Sequence, residues 1–179
     1  MSHELLEATL VTMRRNKDWA EKAIAQTSDQ NMHRTLSDDT NSIVVIMKHV
    51  SGNLQSRWTD FLTTDGEKDW RDRDNEFVDD FESREQLMDY WNKGWDCFLG
   101  TLDSLNENDL GKEVFIRGEP HSVRLAIQRS VGHTCYHVGQ IILLARIMFE
   151  GKNWNTISIP KGGSNQYNQS VWGKTHFKK

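Results

Sequence analysis

Proline is nearly missing from this chain, with two in 179 residues, at positions 120 and 160. Proline breaks helix interiors, so its scarcity leaves room for long uninterrupted helices. Cysteine is scarce as well: Cys97 and Cys135 are the only two. Both fall inside helical patterns, which makes no disulfide framework and fits a reducing compartment. No apolar run approaches the roughly 20 residues that a membrane span needs. The opening MSHELLEATL lacks the basic-then-apolar layout of a secretion signal. A basic surplus is also absent, since the formal charge is −4 with acids and bases interspersed. That argues against a nucleic-acid binder, and the mixed-sign run KDWRDRD at 68–74 is no phosphate patch by itself. The expectation is a cytoplasmic protein that acts on a small molecule, with neither membrane nor nucleic acid as partner.

What is present is helical periodicity. The length suits one domain over residues 1–179, and a mean hydropathy of −0.70 suits much exposed helix surface. Leu6, Leu10, Met13, Ala20 and Ile24 trace one apolar face over residues 3–26, with Ser2 as a cap. After a polar stretch at 27–41, a second helix over 42–63 carries Ile43, Met47, Val50, Leu54 and Phe61. A charged, irregular segment follows at 64–82, where Gly66, Trp70 and Phe77 are the expected anchors. Ser83-Arg84-Glu85-Gln86 fits a capping box that opens a third helix to about 105. Residues 112–123 read as a short hairpin or extended loop. A fourth helix over 122–150 should end at a Gly151 cap, leaving a coil tail over 152–179. The expected fold is therefore all-α: an antiparallel four-helix bundle with a hairpin or loop before its last helix, in an order that is most simply up-down-up-down.

Three of the seven histidines stand out. His133 and His137 are four residues apart, so they share one helix face about a turn from each other. They also fall in the seam Ala126, Ser130, Ile141, Leu144 and Met148 that should face the interior. His49 lies inside the second helix beside its apolar seam, on a stripe with Ile46, Asn53 and Ser56. Three imidazoles suit a divalent cation: zinc, nickel, cobalt or iron. A bland alternative stands beside this: a histidine pair at that spacing arises by chance, and His49 alone could be a hydrogen-bonded core residue. Interior placement favours the metal, because buried imidazoles without partners are costly. With no cysteine to complete it, the set leaves coordination positions open, as in catalytic sites. Asn53 and Arg129 are candidates for the pocket or for orienting ligands. Arg57 and Gln140 read first as solvated or structural residues. His3, His33, His121 and His176 lie in terminal or loop contexts and are left out. Trp58, Trp91 and Trp95 read as core, whereas Trp70, Trp154 and Trp172 read as pins for coil.

The stretches KHVSGNLQSRW around His49 and GHTCYHVGQI around His133 and His137 resemble the DinB-like (YfiT-like) metalloenzyme superfamily. The segments WTDFLTTDGEKDWRDRDNEF and GKNWNTISIPKGGSNQYN resemble one bacterial branch of it, so the likeness covers nearly the whole chain. The resemblance implies a four-helix bundle with nickel or zinc on His49, His133 and His137, often as a homodimer. It also implies thiol-dependent transferase or isomerase chemistry with a low-molecular-weight thiol as co-substrate. Two other functions compete with an S-transferase: a non-catalytic binding or dimerisation module with a structural metal, and a metal-dependent hydrolase.

Overall fold

The computed structural model describes residues 2–172, with side chains from Glu4 to Val171. The proposed Ser2 cap and the side chains of His3 and Trp172 lie outside what is described, as does His176. The chain divides into two compact units, residues 1–149 and 150–179.

In the first unit, four long helices are α1 (Ser2–Ile24), α3 (Ile43–Trp58), α4 (Arg84–Ser104) and α5 (Val123–Ile147). The expected helical fold with a hairpin before its last long helix is thus present. Helix α1 packs on α4 and α5, and α3 packs on the same two. That arrangement puts α1 diagonally across from α3, and α4 from α5. Only α3 and α4 are neighbours both in sequence and in space. The two diagonal crossings use connections that carry structure of their own. Helix α2 (Asp29–His33), capped by Ser28, occupies the first, where the polar stretch 27–41 gave no helical signal. Strands β1 (Glu113–Ile116) and β2 (Glu119–Ser122) occupy the second. Arg117 and Gly118 both have positive φ (58° and 75°), the backbone of a two-residue hairpin turn. Asp65 accepts hydrogen bonds from both turn amides, at 2.8 and 2.7 Å, and thereby docks the segment after α3 onto the hairpin.

The core is rich in tryptophan: Trp58, Trp91 and Trp95 are fully buried, as expected. Gly94 lets α4 approach α3 closely, because a Cβ there would lie 2.7 Å from the Ser51 Cα. Helix boundaries differ from expectation in two places. Helix α3 stops at Trp58, where its cap Thr59 turns extended (ψ 126°) and Asp60 follows in a left-handed conformation (φ 49°), although Phe61 remains buried and stacks on Trp58. Helix α5 ends at Ile147 with a Met148 cap, before Gly151 is reached. At the start of α4 the Ser83 hydroxyl accepts from the Gln86 amide, while the Gln86 side chain reaches back to the Glu82 amide. Trp70, expected to be an anchor, is instead 59% exposed.

In the second unit the expected coil contains a helix, α6 (Ser164–Trp172). A turn precedes it, with Gly162 at φ 83° and the Gly163 amide on the Pro160 carbonyl at 2.9 Å. Among the described residues no helix is long and apolar enough to cross a membrane.

Candidate metal centre

Helix caps set the positions of the three histidines. The Ser42 hydroxyl accepts from the Val45 amide, which starts α3 so that His49 falls in its second turn. The Ser122 hydroxyl does the same for the Leu125 amide, placing His133 and His137 in the middle of α5. A buried bond from Trp58 Nε1 to Ser130 Oγ, 3.0 Å, ties α3 to α5 one turn before His133. The result is a cluster in which one ligand atom from each of His49, His133 and His137 lies within 4.8 Å of the other two. Among the described residues no fourth histidine, cysteine or carboxylate joins it.

The histidines are not in the seam itself. The buried residues of α5 include Ile127, Ser130, Thr134, Val138, Ile141 and Ala145, and the two histidines flank this row half-buried. That correction has a chemical consequence. One step round the helix, the rings leave the apolar layer, and His133 lines a cavity.

Each ring is held differently. His49 is buried, and its Nδ1 donates to the Glu76 carboxylate at 2.9 Å. A carboxylate accepts, so the proton sits on Nδ1 and Nε2 offers a lone pair. Glu76 in turn accepts from Arg71 Nε at 2.7 Å and Nη2 at 2.9 Å. Burial would raise the Glu76 pKa, but the hydrogen bonds from His49 and Arg71 and the charge of Arg71 outweigh it and hold the carboxylate below its ordinary range. Gly52, one turn after His49, makes room for this acid: a Cβ there would overlap Glu76 Oε1 and lie 2.9 Å from Cδ. The Phe77 ring stacks on His49 with centroids 5.1 Å apart. His137 Nδ1 donates to Gln140 Oε1 at 2.7 Å, and Gln140 donates to the Tyr136 hydroxyl. His133 has no such support, since its buried Nδ1 has no hydrogen-bond partner. Burial, followed by the adjacent His137 and His49 rings, pushes its pKa down to about 3. Burial also lowers that of His137, against the opposing bond to Gln140. Both are therefore neutral near pH 7, the state in which imidazole binds metal.

These residues fit a divalent cation. His49 Nε2 and His133 Nε2 are 3.1 Å apart. Two nitrogens each about 2.0–2.1 Å from a tetrahedral zinc would be roughly 3.3 Å apart. The carboxylate–imidazole pair is the usual outer support of a ligating histidine.

The sequence profile described as "Protein of unknown function (DUF1572)" matches residues 1–163. The chain belongs to the DUF1572 family. The DUF1572 match spans the three histidines, Glu76 and Gln140, so the whole candidate centre lies within it. Comparison with curated proteins and with solved structures returns no match.

A cavity of about 210 Å³ opens beside the triad and brings together His49, His133, Asn53 and Arg129. Arg57 also lines it, with a side chain only 13% exposed and paired with Glu67, which is the structural rather than the solvated form of what was expected. Gln140 likewise has a specific contact, on His137. His121 Nε2 accepts from Arg129 Nη1, and so stands behind the cavity wall. Glu76 and Arg71 were missed because they come from the charged segment 64–82, which reads as solvated. One faint signal was available: a glycine in the helix one turn from a histidine marks a close approach by something else.

Proposed function

We propose that His49, His133 and His137 hold one divalent metal, zinc or nickel, and that the chain is a thiol-dependent S-transferase using a low-molecular-weight thiol. The observation that carries this reading is the convergence of three imidazoles beside a cavity, with no fourth ligand among the described residues. A structural site is usually closed by four protein ligands, whereas an open one receives a reactant. The likeness of the two histidine motifs to the DinB-like superfamily supports the same choice. When bound, a divalent cation would supply Lewis acidity that lowers the pKa of a coordinating thiol or water.

The chain's own residues then have distinct tasks. Glu76 and Gln140 fix the orientation of His49 and His137. Trp58 and Phe61 give the cavity an apolar floor that limits water. Asn53 presents an amide to a bound reactant. No aspartate or glutamate lines the cavity, and the nearest buried acid, Glu76, is committed to His49 and Arg71. Metal-dependent hydrolases commonly pair the metal-bound water with a carboxylate that shuttles its proton, and no carboxylate lines this cavity, which favours transfer over hydrolysis. We place the protein in the cytoplasm as a homodimer. The dimer would use the stripe Leu125, Tyr136, Leu143 and Ile147 on α5, each at least 49% exposed.

The test is turnover. Zinc- or nickel-loaded protein is mixed with glutathione or bacillithiol and a chromogenic electrophile. Thiol consumption well above that of His49→Ala is expected, with no activity on esters, amides or lactams when thiol is omitted. Equal rates for parent and variant would refute the transferase, and ester or lactam hydrolysis without thiol would replace it with the hydrolase.

A further inference from the structure

The walls of the cavity beside the triad carry an unusual charge. Four guanidinium side chains line it, those of Arg57, Arg73, Arg117 and Arg129, and no carboxylate does. The compensation behind the walls is incomplete. Glu67 is shared, accepting from Arg57 Nη2 at 3.2 Å and Arg117 Nε at 3.1 Å, with Arg71 Nη1 at 3.9 Å. Asp65 spends its oxygens on the hairpin turn amides. Glu76 is taken by Arg71 and His49. The Arg129 guanidinium meets a ring nitrogen of His121, which brings no negative charge of its own.

Arg57 shows the deficit most directly. Its Nη1 is buried and has no hydrogen-bond partner. Burial, with the neighbouring charges of Arg71 and Arg117, pulls its pKa below the ordinary value despite the opposing pull of Glu67. An unpartnered cationic donor on a side chain that lines the cavity leaves that wall short of acceptors. The same lining includes the apolar residues Trp58, Phe61, Phe115, Ile116 and Ala126. A volume of about 210 Å³ is below the roughly 300–1,000 Å³ of pockets for drug-sized ligands, so a small molecule or one end of a larger one fits.

We infer that this cavity binds a small amphiphilic oxyanion, with a carboxylate or phosphate head on Arg57, Arg117 and Arg129 and an apolar body against Trp58 and Phe61. Guanidinium forks match the planar or trigonal oxygens of such heads in pairs, which fixes the orientation of the body relative to the triad. The inference takes from the proposed function only that this cavity is the reactant side of the triad, and it requires no bound metal. It therefore narrows the reactants of the site to molecules bearing one anionic end.

Calorimetric titration of the full-length, metal-stripped protein tests it, with benzoate, phenyl phosphate and benzamide as probes. At least one of the two anions should bind, and benzamide, the neutral isostere of benzoate, should bind tenfold more weakly or not at all. The tighter anion identifies the head group. Arg57→Gln removes a largely buried guanidinium that binds Glu67 and could unfold the chain, so the readout rests on Arg117→Gln and Arg129→Gln. Arginine 117 is half exposed and Arg129 exposed, and each change should weaken the anion at least tenfold. Equal binding of benzoate and benzamide overturns the inference. So does anion binding that neither variant weakens, that needs zinc, or that is absent for all three probes. Because the titration is done without metal, its failure is separate from a failure to find metal in the protein.

Discussion

The two helices that build the centre hold their histidines by opposite means. On α3, His49 is buried and locked by a charged partner that is itself locked, through the chain His49–Glu76–Arg71. On α5, His137 rests on a neutral amide near the surface, and His133 Nδ1 rests on nothing. One half of the centre is fixed by buried hydrogen bonds within the fold, and the other half leaves the His133 ring without such an anchor. Substitutions should therefore cost more on the α3 side, in both stability and affinity.

The largest effect is expected for Glu76→Ala. It leaves the Arg71 guanidinium, 1% exposed, without its buried partner, at a cost of about 3–5 kcal/mol in unfolding free energy. Zinc affinity should fall by roughly 10–100-fold, since His49 loses its orienting group. Urea unfolding and competitive zinc titration measure the two. Glu76→Gln keeps an acceptor for His49 and should recover part of the affinity, which a purely structural role would not require.

Next in size is Gly52→Ala. Its methyl group must displace the Glu76 carboxylate, a small-to-large change costing about 1–3 kcal/mol. If zinc affinity falls along with stability, Glu76 is confirmed as the link. Unchanged affinity would mean that the acid can move without consequence and that the α3 side is not the rigid one.

Gln140→Ala should be milder, with a zinc affinity loss near the tenfold end of the range and little change in stability, because Gln140 is half-buried. A loss as large as that of Glu76→Ala would erase the contrast between the helices.

Acid sharpens the contrast further. His133 titrates at about 3 in the folded chain and near 6.5 in the unfolded one. Between those values the unfolded chain takes a proton that the folded chain refuses. The contribution of neutral His133 is complete above about pH 6.5 and is lost as pH falls toward 3. Glu76, held below its ordinary range, acts in the same direction at the acid end. The melting temperature of metal-stripped protein should thus drop steadily below pH 6.5, and His133→Phe should flatten the upper part of that drop.

Much of this was readable from the chain. The 3.6-residue periodicity of α1, α3, α4 and α5 is local, and so is the four-residue spacing of His133 and His137. The turn at Arg117-Gly118 announces itself through a glycine beside a polar residue. What was hidden depends on contacts far apart in sequence. Glu76 meets His49 across 27 positions, and nothing in a run of charges says which acid turns inward. The diagonal packing of α1 and α3 follows from which faces meet, and periodicity gives only that each has a face. Trp70 looked like an anchor because of its composition, but its neighbours are charged and leave it no apolar surface to join. The α6 helix follows Pro160 and two glycines, which mask its start.

The most direct test of the account is the metal content of untagged protein, measured by mass spectrometry beside the His133→Ala/His137→Ala variant. Near-stoichiometric zinc or nickel in the parent, lost in the variant, is the predicted result. Less than a tenth of an equivalent in the parent, even after incubation with zinc and nickel salts, would contradict it. The three imidazoles would then be a polar cluster held by Glu76 and Gln140.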